Sequence, residues 1–170
     1  MIIKNDEKFL RLRCEPVLLK EGLKIGRKLQ DELIRHNKKA IKHNGITGVG
    51  LAANQIGILK RVCLVMGQVL INPQIVNHSE ILLPTNEGCL SFPGKKIDTF
   101  RWLWIDVEAT NCGIQRFGSQ KGEIMTSGDF FKAVVAQHEI SHLWGLTIFD
   151  FEKENSPAFE VIISGGNNKC

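Results

Sequence analysis

Residues 127–145 read SGDFFKAVVAQHEISHLWG, and this stretch decides the fold. Apolar side chains from Phe130 to Trp144 occupy nearly every face of a helix drawn through it. A helix that is apolar all round lies inside a protein rather than on its surface. Ser127 or Asp129 can cap its start, and Gly145 can end it. The sequence therefore predicts one central helix, with the other elements packed around it.

His138-Glu139-Ile140-Ser141-His142 within this helix match the pattern H-E-x-x-H. Residues four apart lie on one face of a helix, so both imidazoles can bind one metal ion. Glu139 projects about 100° around the helix from His138, which suits a general base acting on water at the metal. Because a glutamate is rarely buried without a partner, core packing explains these residues less well. The motif indicates a metal site.

Two histidines leave a catalytic metal site one protein ligand short. Glu160, downstream of the motif, is a candidate of the kind that zincin-type metallopeptidases use. Cys89 is the other candidate, because Gly88 beside it lets the backbone approach a metal closely and leaves the following N–H free to donate. The residues alone leave both open.

The rest of the chain alternates one long helical stretch with short β candidates. Apolar positions at helical spacing predict a helix from about Leu18 to His43, which Asn44-Gly45 ends. The predicted strands are Arg61–Met66, Val69–Asn72, Ser79–Leu83, Trp102–Thr110 and Ile114–Phe117. These elements predict an α+β fold, in which antiparallel strands pack around the central helix and an N-terminal helix precedes them. We expect one domain over residues 1–151, followed by a short polar, frayed tail over residues 152–170.

The composition limits the functional classes. The 170 residues carry 22 basic and 18 acidic side chains, a net charge of +4 that is weak evidence for nucleic-acid binding. No apolar run is long enough to span a membrane, and the first residues lack an export signal. We therefore expect a cytoplasmic monomer without a nucleic-acid or membrane partner.

The five cysteines are widely spaced and form no CxxC pair, so a disulfide framework is not expected. We predict that Cys14, Cys63 and Cys112 are small buried side chains and that Cys170 is exposed at the terminus. A redox-sensing role for Cys89 is less favoured, because no resolving cysteine lies near it in the sequence.

Three separated segments together resemble the peptide deformylase family. They are Gly48-Val49-Gly50-Leu51-Ala52-Ala53-Asn54-Gln55, Glu87-Gly88-Cys89-Leu90-Ser91 and Gln137-His138-Glu139-Ile140-Ser141-His142-Leu143-Trp144-Gly145. Their order also matches, and the resemblance covers about residues 8 to 151. It implies a metal-dependent hydrolase that removes the formyl group from N-formylmethionine on newly made polypeptides and releases formate.

The resemblance also implies roles for individual residues. Cys89, His138 and His142 would bind the metal, and Glu139 would take the proton of the attacking water and pass it to the leaving amine. The side chain of Gln55 and the backbone N–H of Leu90 would bind the oxyanion. The methionine pocket would be formed by Val49, Gly50, Gly88, Val134 and Val135. Glu87 and Arg101 would form a pair that supports the site.

The metal implied is one divalent ion, with iron(II) favoured and zinc, nickel or cobalt also compatible with one thiolate and two imidazoles. Ser141 stands where the family usually has Asp, which weakens a contact expected with Arg101. The tail after Gly145 lacks a long basic helix, so it gives no support for ribosome contact. A zincin-type metallopeptidase and a non-catalytic binder of formylated peptides stay as alternatives.

Overall fold

A computed structural model gives the structure of this chain and describes residues 1–119, 124 and 126–164. The helices within this part are α1 (Glu7–Leu10), α2 (Leu19–Lys42), α3 (Ser127–Leu143) and α4 (Ala158–Ser164). The strands are β1 (Gly50–Ala52), β2 (Val62–Val65), β3 (Gln68–Ile71), β4 (Gln74–His78), β5 (Leu82–Gly88), β6 (Lys96–Trp102), β7 (Trp104–Ala109) and β8 (Gly113–Gly118). The fold is α+β, with antiparallel pairing throughout these strands.

The strands form three small sheets, ordered β1-β2-β3, β4-β7-β8 and β5-β6. Each sheet places one face toward the interior, where alternating side chains such as Ile105, Val107 and Ala109 of β7 are buried. This alternation was visible in the sequence and is confirmed.

Helix α3 lies at the centre, as its apolar composition predicts. Every side chain from Ala133 to Leu143 is buried. Its start is capped by Thr126, whose hydroxyl accepts a hydrogen bond from the Asp129 N–H, so the cap is neither of the two predicted candidates, Ser127 and Asp129. Gln137 ties it to β6 by accepting from the Trp102 N–H at 3.0 Å and donating to the Trp102 carbonyl at 2.9 Å.

Helix α2 confirms the long amphipathic helix predicted near the N-terminus. Its buried face includes Leu29 and Leu33, which pack with Leu51 and Leu64 in a second apolar cluster. On the same face, a Cβ at Gly26 would overlap Val69 of β3, so glycine lets this helix approach the sheet closely.

Two strand predictions are wrong in their limits. The predicted strand Ser79–Leu83 shares only Leu82 and Leu83 with β5, which runs on through Pro84 to Gly88 because it lies in a two-stranded sheet where proline is tolerated. The predicted strand Trp102–Thr110 is divided at Leu103, where β6 ends and β7 begins. Strand β6, which carries Arg101, was otherwise missed.

The predicted frayed tail is also wrong for the part that the structure describes. Helix α4 packs onto the core through buried Ala158, Phe159 and Ile162. The Phe159 ring lies 4.9 Å from Trp102 and 5.2 Å from Phe151, measured between ring centroids. Val161 and Ile163 also pack against this core, so apolar contacts hold the helix although the mostly polar segment 152–157 precedes it. Residues 165–170 lie outside the described part.

Of the predictions made for the cysteines, some are confirmed and one is wrong. Cys14 and Cys63 are buried as expected, but Cys112 is exposed in the turn between β7 and β8, so its prediction is wrong. Cys170 lies outside the described residues. Within those residues, no helix combines the length and the apolar character that crossing a membrane requires.

The N-terminal segment, residues 1–14, forms backbone hydrogen bonds with three other segments. The N–H of Ile3 donates to the Gln55 carbonyl at 2.7 Å, and that of Asn5 donates to the Ser91 carbonyl at 2.8 Å. The Cys14 N–H donates to the Leu143 carbonyl at 2.9 Å. The segment therefore joins parts of the chain that are far apart in sequence.

Candidate active site

Cys89, His138 and His142 converge in the interior. Cys89 follows β5 directly, and the two histidines lie one turn apart on α3. One potential ligand atom from each residue lies within 4.8 Å of the others, and all three side chains are buried. The Cys89 Sγ lies 3.3 Å from His142 Nε2, although the two residues are 53 positions apart. Such a set of one sulfur and two nitrogens can hold one metal ion.

The electrostatics of the cluster favour the thiolate form of Cys89. Burial by itself raises the pKa of this thiol, but His142 and His138 beside it lower the pKa, and the net shift is well below the ordinary value. The thiolate is the form of cysteine that binds metals.

Glu87 and Arg101 orient His138 from the neighbouring sheet. His138 Nδ1 lies 2.7 Å from Glu87 Oε2, which leaves Nε2 free for the cluster. Arg101 on β6 donates to Glu87 from Nε at 2.6 Å and from Nη2 at 3.2 Å. Burial raises the pKa of Glu87, but Arg101 and His138 outweigh it, so the carboxylate has a pKa well below its usual range. This pairing is the one that the resemblance implied.

Ser141 occupies the remaining side of Arg101. Arg101 Nη1 donates to Ser141 Oγ at 3.4 Å, and the Ser141 hydroxyl donates to the Gln137 carbonyl at 2.6 Å. A neutral hydroxyl thus stands where a carboxylate was expected, and Glu87 supplies the charge that balances Arg101. Arg101 also lies 3.8 Å over the ring of Phe151.

Glu139 is buried beside the cluster with an unused oxygen. Its Oε2 has no hydrogen-bond partner among the described residues. Burial, helped by Cys89 and Glu87, raises its pKa to about 8, while His138 opposes the shift. A Cβ at Gly50 would overlap Glu139 Oε1, so β1 leaves room for this carboxyl only because residue 50 is glycine.

Gln55 and Leu90 place hydrogen-bond donors next to Cys89. Gln55 Oε1 accepts from the Ala52 N–H at 2.8 Å, which fixes the amide so that its Nε2 faces Cys89 Sγ at 3.5 Å and Ser91 Oγ at 3.1 Å. The backbone N–H of Leu90 has no acceptor among the described residues. The Gln55 amide thus lies beside the sulfur, and the Leu90 N–H follows Cys89 directly in the chain.

The site opens into a cleft of about 770 Å³. All residues expected in a side-chain pocket line this cleft: Val49, Gly50, Gly88, Val134 and Val135. Ile46 and Phe131, which sequence reasoning did not single out, also line it and are exposed. Phe131 precedes Val134 by one turn of α3, so helical spacing from the expected pocket residues was the signal that could have found it.

Two further residues were missed, and one alternative ligand lies elsewhere. Ser91 and Thr99 bind Gln55 and Glu87 respectively, and both are buried. Ser91 stands in a motif already singled out, whereas nothing in the sequence marks Thr99. Glu160, the alternative third ligand, is exposed on α4 and is not part of the cluster.

Comparison with known proteins identifies what this architecture is similar to. The family model described as "Polypeptide deformylase" matches residues 1–157. A peptide deformylase of Natranaerobius thermophilus is 36% identical over 154 residues, which cover 86% of this chain and 93% of that relative. A Plasmodium falciparum peptide deformylase in complex with an inhibitor has a TM-score of 0.67 and 26% identity, covering 96% of this chain and 99% of that one. The Thermotoga maritima enzyme has a TM-score of 0.63 and 29% identity, covering 90% and 97%.

Proposed function

The chain belongs to the polypeptide deformylase family, metal-dependent hydrolases that remove the N-formyl group from nascent polypeptides, and we propose that Cys89, His138 and His142 bind its metal ion. The observation that carries the proposal is the convergence of these three ligand atoms within 4.8 Å in a buried place. The central helix α3 is then the metal-binding helix.

The surroundings of the cluster fit a metal ion. One thiolate and two imidazoles suit iron(II), zinc, nickel and cobalt, and the family resemblance favours iron(II). The unpartnered Oε2 of Glu139 fits a site that receives a polar molecule, since a buried carboxyl oxygen without a partner is otherwise costly. Glu87, held by Arg101, keeps His138 in the orientation that a ligand needs.

In the reaction, Glu139 acts as the general base; the positive charge of an ion held by Cys89, His138 and His142 would lower the pKa that burial raises, so that the carboxylate can accept a proton. A divalent ion bound by the three ligands makes water acidic enough to ionise near neutral pH. Glu139 accepts one proton as the water oxygen bonds to the formyl carbon. The C–N bond then breaks, and Glu139 passes that proton to the leaving amine, so formate and a free amino terminus are the products. Glu139 is buried and lines the cleft, so its carboxyl can reach the water and the amide nitrogen of a peptide bound there.

Gln55 and Leu90 stabilise the negative charge on the formyl oxygen. The Gln55 amide and the Leu90 N–H both lie beside Cys89, and the Ala52 N–H keeps the Gln55 side chain in place. We expect Gln55→Ala to lower kcat about 100- to 1,000-fold, the usual effect of removing one such donor.

The cleft receives the formylmethionine side chain. The small and aliphatic side chains of Val49, Val134 and Val135, together with the absence of side chains at Gly50 and Gly88, leave an apolar space for an unbranched thioether. Residues 1–151 supply every residue invoked here, and we propose that they form the catalytic domain of a cytoplasmic monomer. The described part of the tail gives no basic helix for ribosome contact.

Formate release tests the proposal. The protein, loaded anaerobically with iron(II) or with nickel, is given a formyl-Met tripeptide, with Glu139→Gln as the control. We expect formate from the parent and none from the variant. No formate from folded, metal-loaded protein would overturn the proposal, and peptide binding without turnover would favour the non-catalytic binder.

A pair of variants separates Cys89 from Glu160. We expect Cys89→Ser to lose bound metal, measured by elemental analysis, and Glu160→Gln to keep it, because Glu160 lies outside the cluster. The opposite result, with cleavage of an unformylated peptide, would favour the metallopeptidase.

A further inference from the structure

Four lysines surround the mouth of the cleft. Lys4 belongs to the N-terminal segment, Lys39 to α2, and Lys95 and Lys96 to the start of β6 and the residue before it. All four are exposed, and none has a carboxylate within ion-pair distance among the described residues. Three separate segments therefore bring positive charge without a carboxylate partner to one opening, where Lys95 Nζ also lies 5.2 Å from the centroid of the Phe149 ring. We call this group the lysine rim.

Among the residues that the structure describes, no exposed carboxylate lines the cleft. The acidic side chains that line it are Glu87 and Glu139, both buried, and Glu87 is bound to Arg101. Asp98 accepts a hydrogen bond from Asn86 nearby but does not line the cleft. The chain as a whole is nearly balanced in charge, with 22 basic and 18 acidic residues. Within the described lining of the cleft, the exposed charged side chains are therefore all lysines.

We infer that the lysine rim selects formylated chains that carry Asp or Glu shortly after the methionine. This inference rests on the proposed function, because it assigns the cleft to a formyl-Met peptide. A formyl group removes the charge of the amino terminus, so downstream side chains supply the charge that the rim meets. The rim borders a concave apolar cleft that leads to a buried site, a shape that suits an extended peptide.

The expected strength of the preference for acidic peptides depends on how exposed the four lysines are. A single exposed ion pair contributes little to the free energy of binding and is screened by salt. Several lysines around one opening act together, because their electrostatic potentials add at the bound peptide. We expect about a three- to tenfold preference for an acidic over a basic side chain at low ionic strength. The preference should lie in KM, because the charges act equally on the bound substrate and on the transition state.

Charged peptides of matched sequence test the inference. The substrates are formyl-Met-Ala-X-Ser amides in which X is Glu, Gln or Lys, so that no terminal carboxylate contributes. We expect kcat/KM to fall in the order Glu, Gln, Lys, and the Glu-to-Lys ratio to approach one in 0.5 M NaCl. In Lys95→Gln/Lys96→Gln this ratio should fall at least twofold at low salt, whereas kcat for the Gln peptide should be unchanged.

The control is Lys24→Gln/Lys28→Gln, which removes the same charge from exposed positions on α2 outside the cleft. An equal fall of the ratio in both double variants would overturn the inference, since net charge alone would then explain it. An unchanged ratio in Lys95→Gln/Lys96→Gln, together with weaker binding of a single-stranded RNA, would overturn it in favour of nucleic-acid contact.

Affinity separates the failure of this inference from the failure of the proposed function. Fluorescence anisotropy of the same peptides, labelled at the C-terminus, measures binding to metal-loaded Glu139→Gln without turnover. Tighter binding of the Glu peptide without formate release from the parent would support the role of the lysine rim and would overturn the proposed hydrolase activity. Formate release from all three peptides at one rate and one affinity would reject the rim alone.

Discussion

Glu87 joins two elements of the site through one carboxylate. It accepts hydrogen bonds from Arg101 on β6 and faces His138 on α3, and the pair with Arg101 is buried. We expect Glu87→Gln to lower the free energy of unfolding by about 3–5 kcal/mol, because Arg101 is then left as a buried charge without its partner. Urea denaturation measures this change.

The matched control for this variant is Glu15→Gln. Glu15 pairs with Lys60 at 3.1 Å, but it is exposed, so its loss should cost at most about 1 kcal/mol. Equal costs for the two variants would show that burial of the Glu87 pair has no energetic consequence.

Gly50 sets the position of Glu139 by having no side chain. A methyl group there would overlap Glu139 Oε1, and the flexible carboxyl is the group that would move. We expect Gly50→Ala to lower kcat for formate release about a hundredfold, because small displacements of a catalytic group have effects of that size. Gly128→Ala is the control, since a Cβ there meets only Thr126 Oγ1, at 3.6 Å. A Gly50→Ala enzyme with normal kcat would contradict the role given to this glycine.

At the scale of the elements, α4 is stabilised by a small number of apolar contacts. Phe159 packs on Trp102 and Phe151, and its side chain is buried. We expect Phe159→Ala to cost about 3–5 kcal/mol, because it leaves a cavity in the core. Ile114→Ala, at an exposed position of β8, should change stability by less than about 0.5 kcal/mol. Thermal unfolding of both variants tests the contrast, and equal midpoints would contradict the packing of α4.

The sequence predicted elements whose pattern is regular and local. Helices α2 and α3 follow from helical spacing of apolar residues, and β7 follows from strict alternation. Helix α4 was missed because it has only seven residues and follows the mostly polar segment 152–157. Most of β5 and β6 was missed because Pro84 looked like a strand end and because Thr99 and Arg101 are buried polar residues. Their side chains hydrogen-bond to the Glu87 carboxylate, and sequence spacing does not encode that contact.

The candidate site was predicted for a different reason. His138 and His142 are placed together by the helix itself, so their spacing was sufficient. Cys89 could be chosen over Glu160 only through the family resemblance, because its approach to His142 depends on the tertiary fold. The lysine rim likewise joins three segments and has no linear signal.

At the scale of the whole molecule, stability should depend on the ionisation of buried thiols. Burial raises the pKa of Cys14 from the ordinary 9.0 to about 12, with Arg61 opposing the shift. The folded state therefore keeps the thiol protonated after the unfolded chain has begun to ionise. The corresponding stability is complete below pH 9 and is lost between pH 9 and about 12.

The variant Cys14→Ala isolates this effect. Between pH 8 and pH 10 the difference in unfolding free energy between parent and Cys14→Ala should shrink by about 1 kcal/mol. Urea denaturation at several pH values measures it. Cys112→Ala should change the alkaline slope of the parent less than Cys14→Ala does, because partial burial raises the pKa of this exposed thiol without the large shift of Cys14. A difference that stays constant with pH in Cys14→Ala would contradict the prediction.

The backbone hydrogen bonds of the N-terminal segment join residues that are synthesised at different times. Ile3, Asn5 and Cys14 are synthesised early, yet their backbone partners Gln55, Ser91 and Leu143 emerge from the ribosome later, and the last of them only with the end of α3. The backbone hydrogen bonds of Ile3, Asn5 and Cys14 therefore cannot all form until Leu143, at the end of α3, has been made. During translation the site therefore lacks part of its backbone support until the end of α3 has been made.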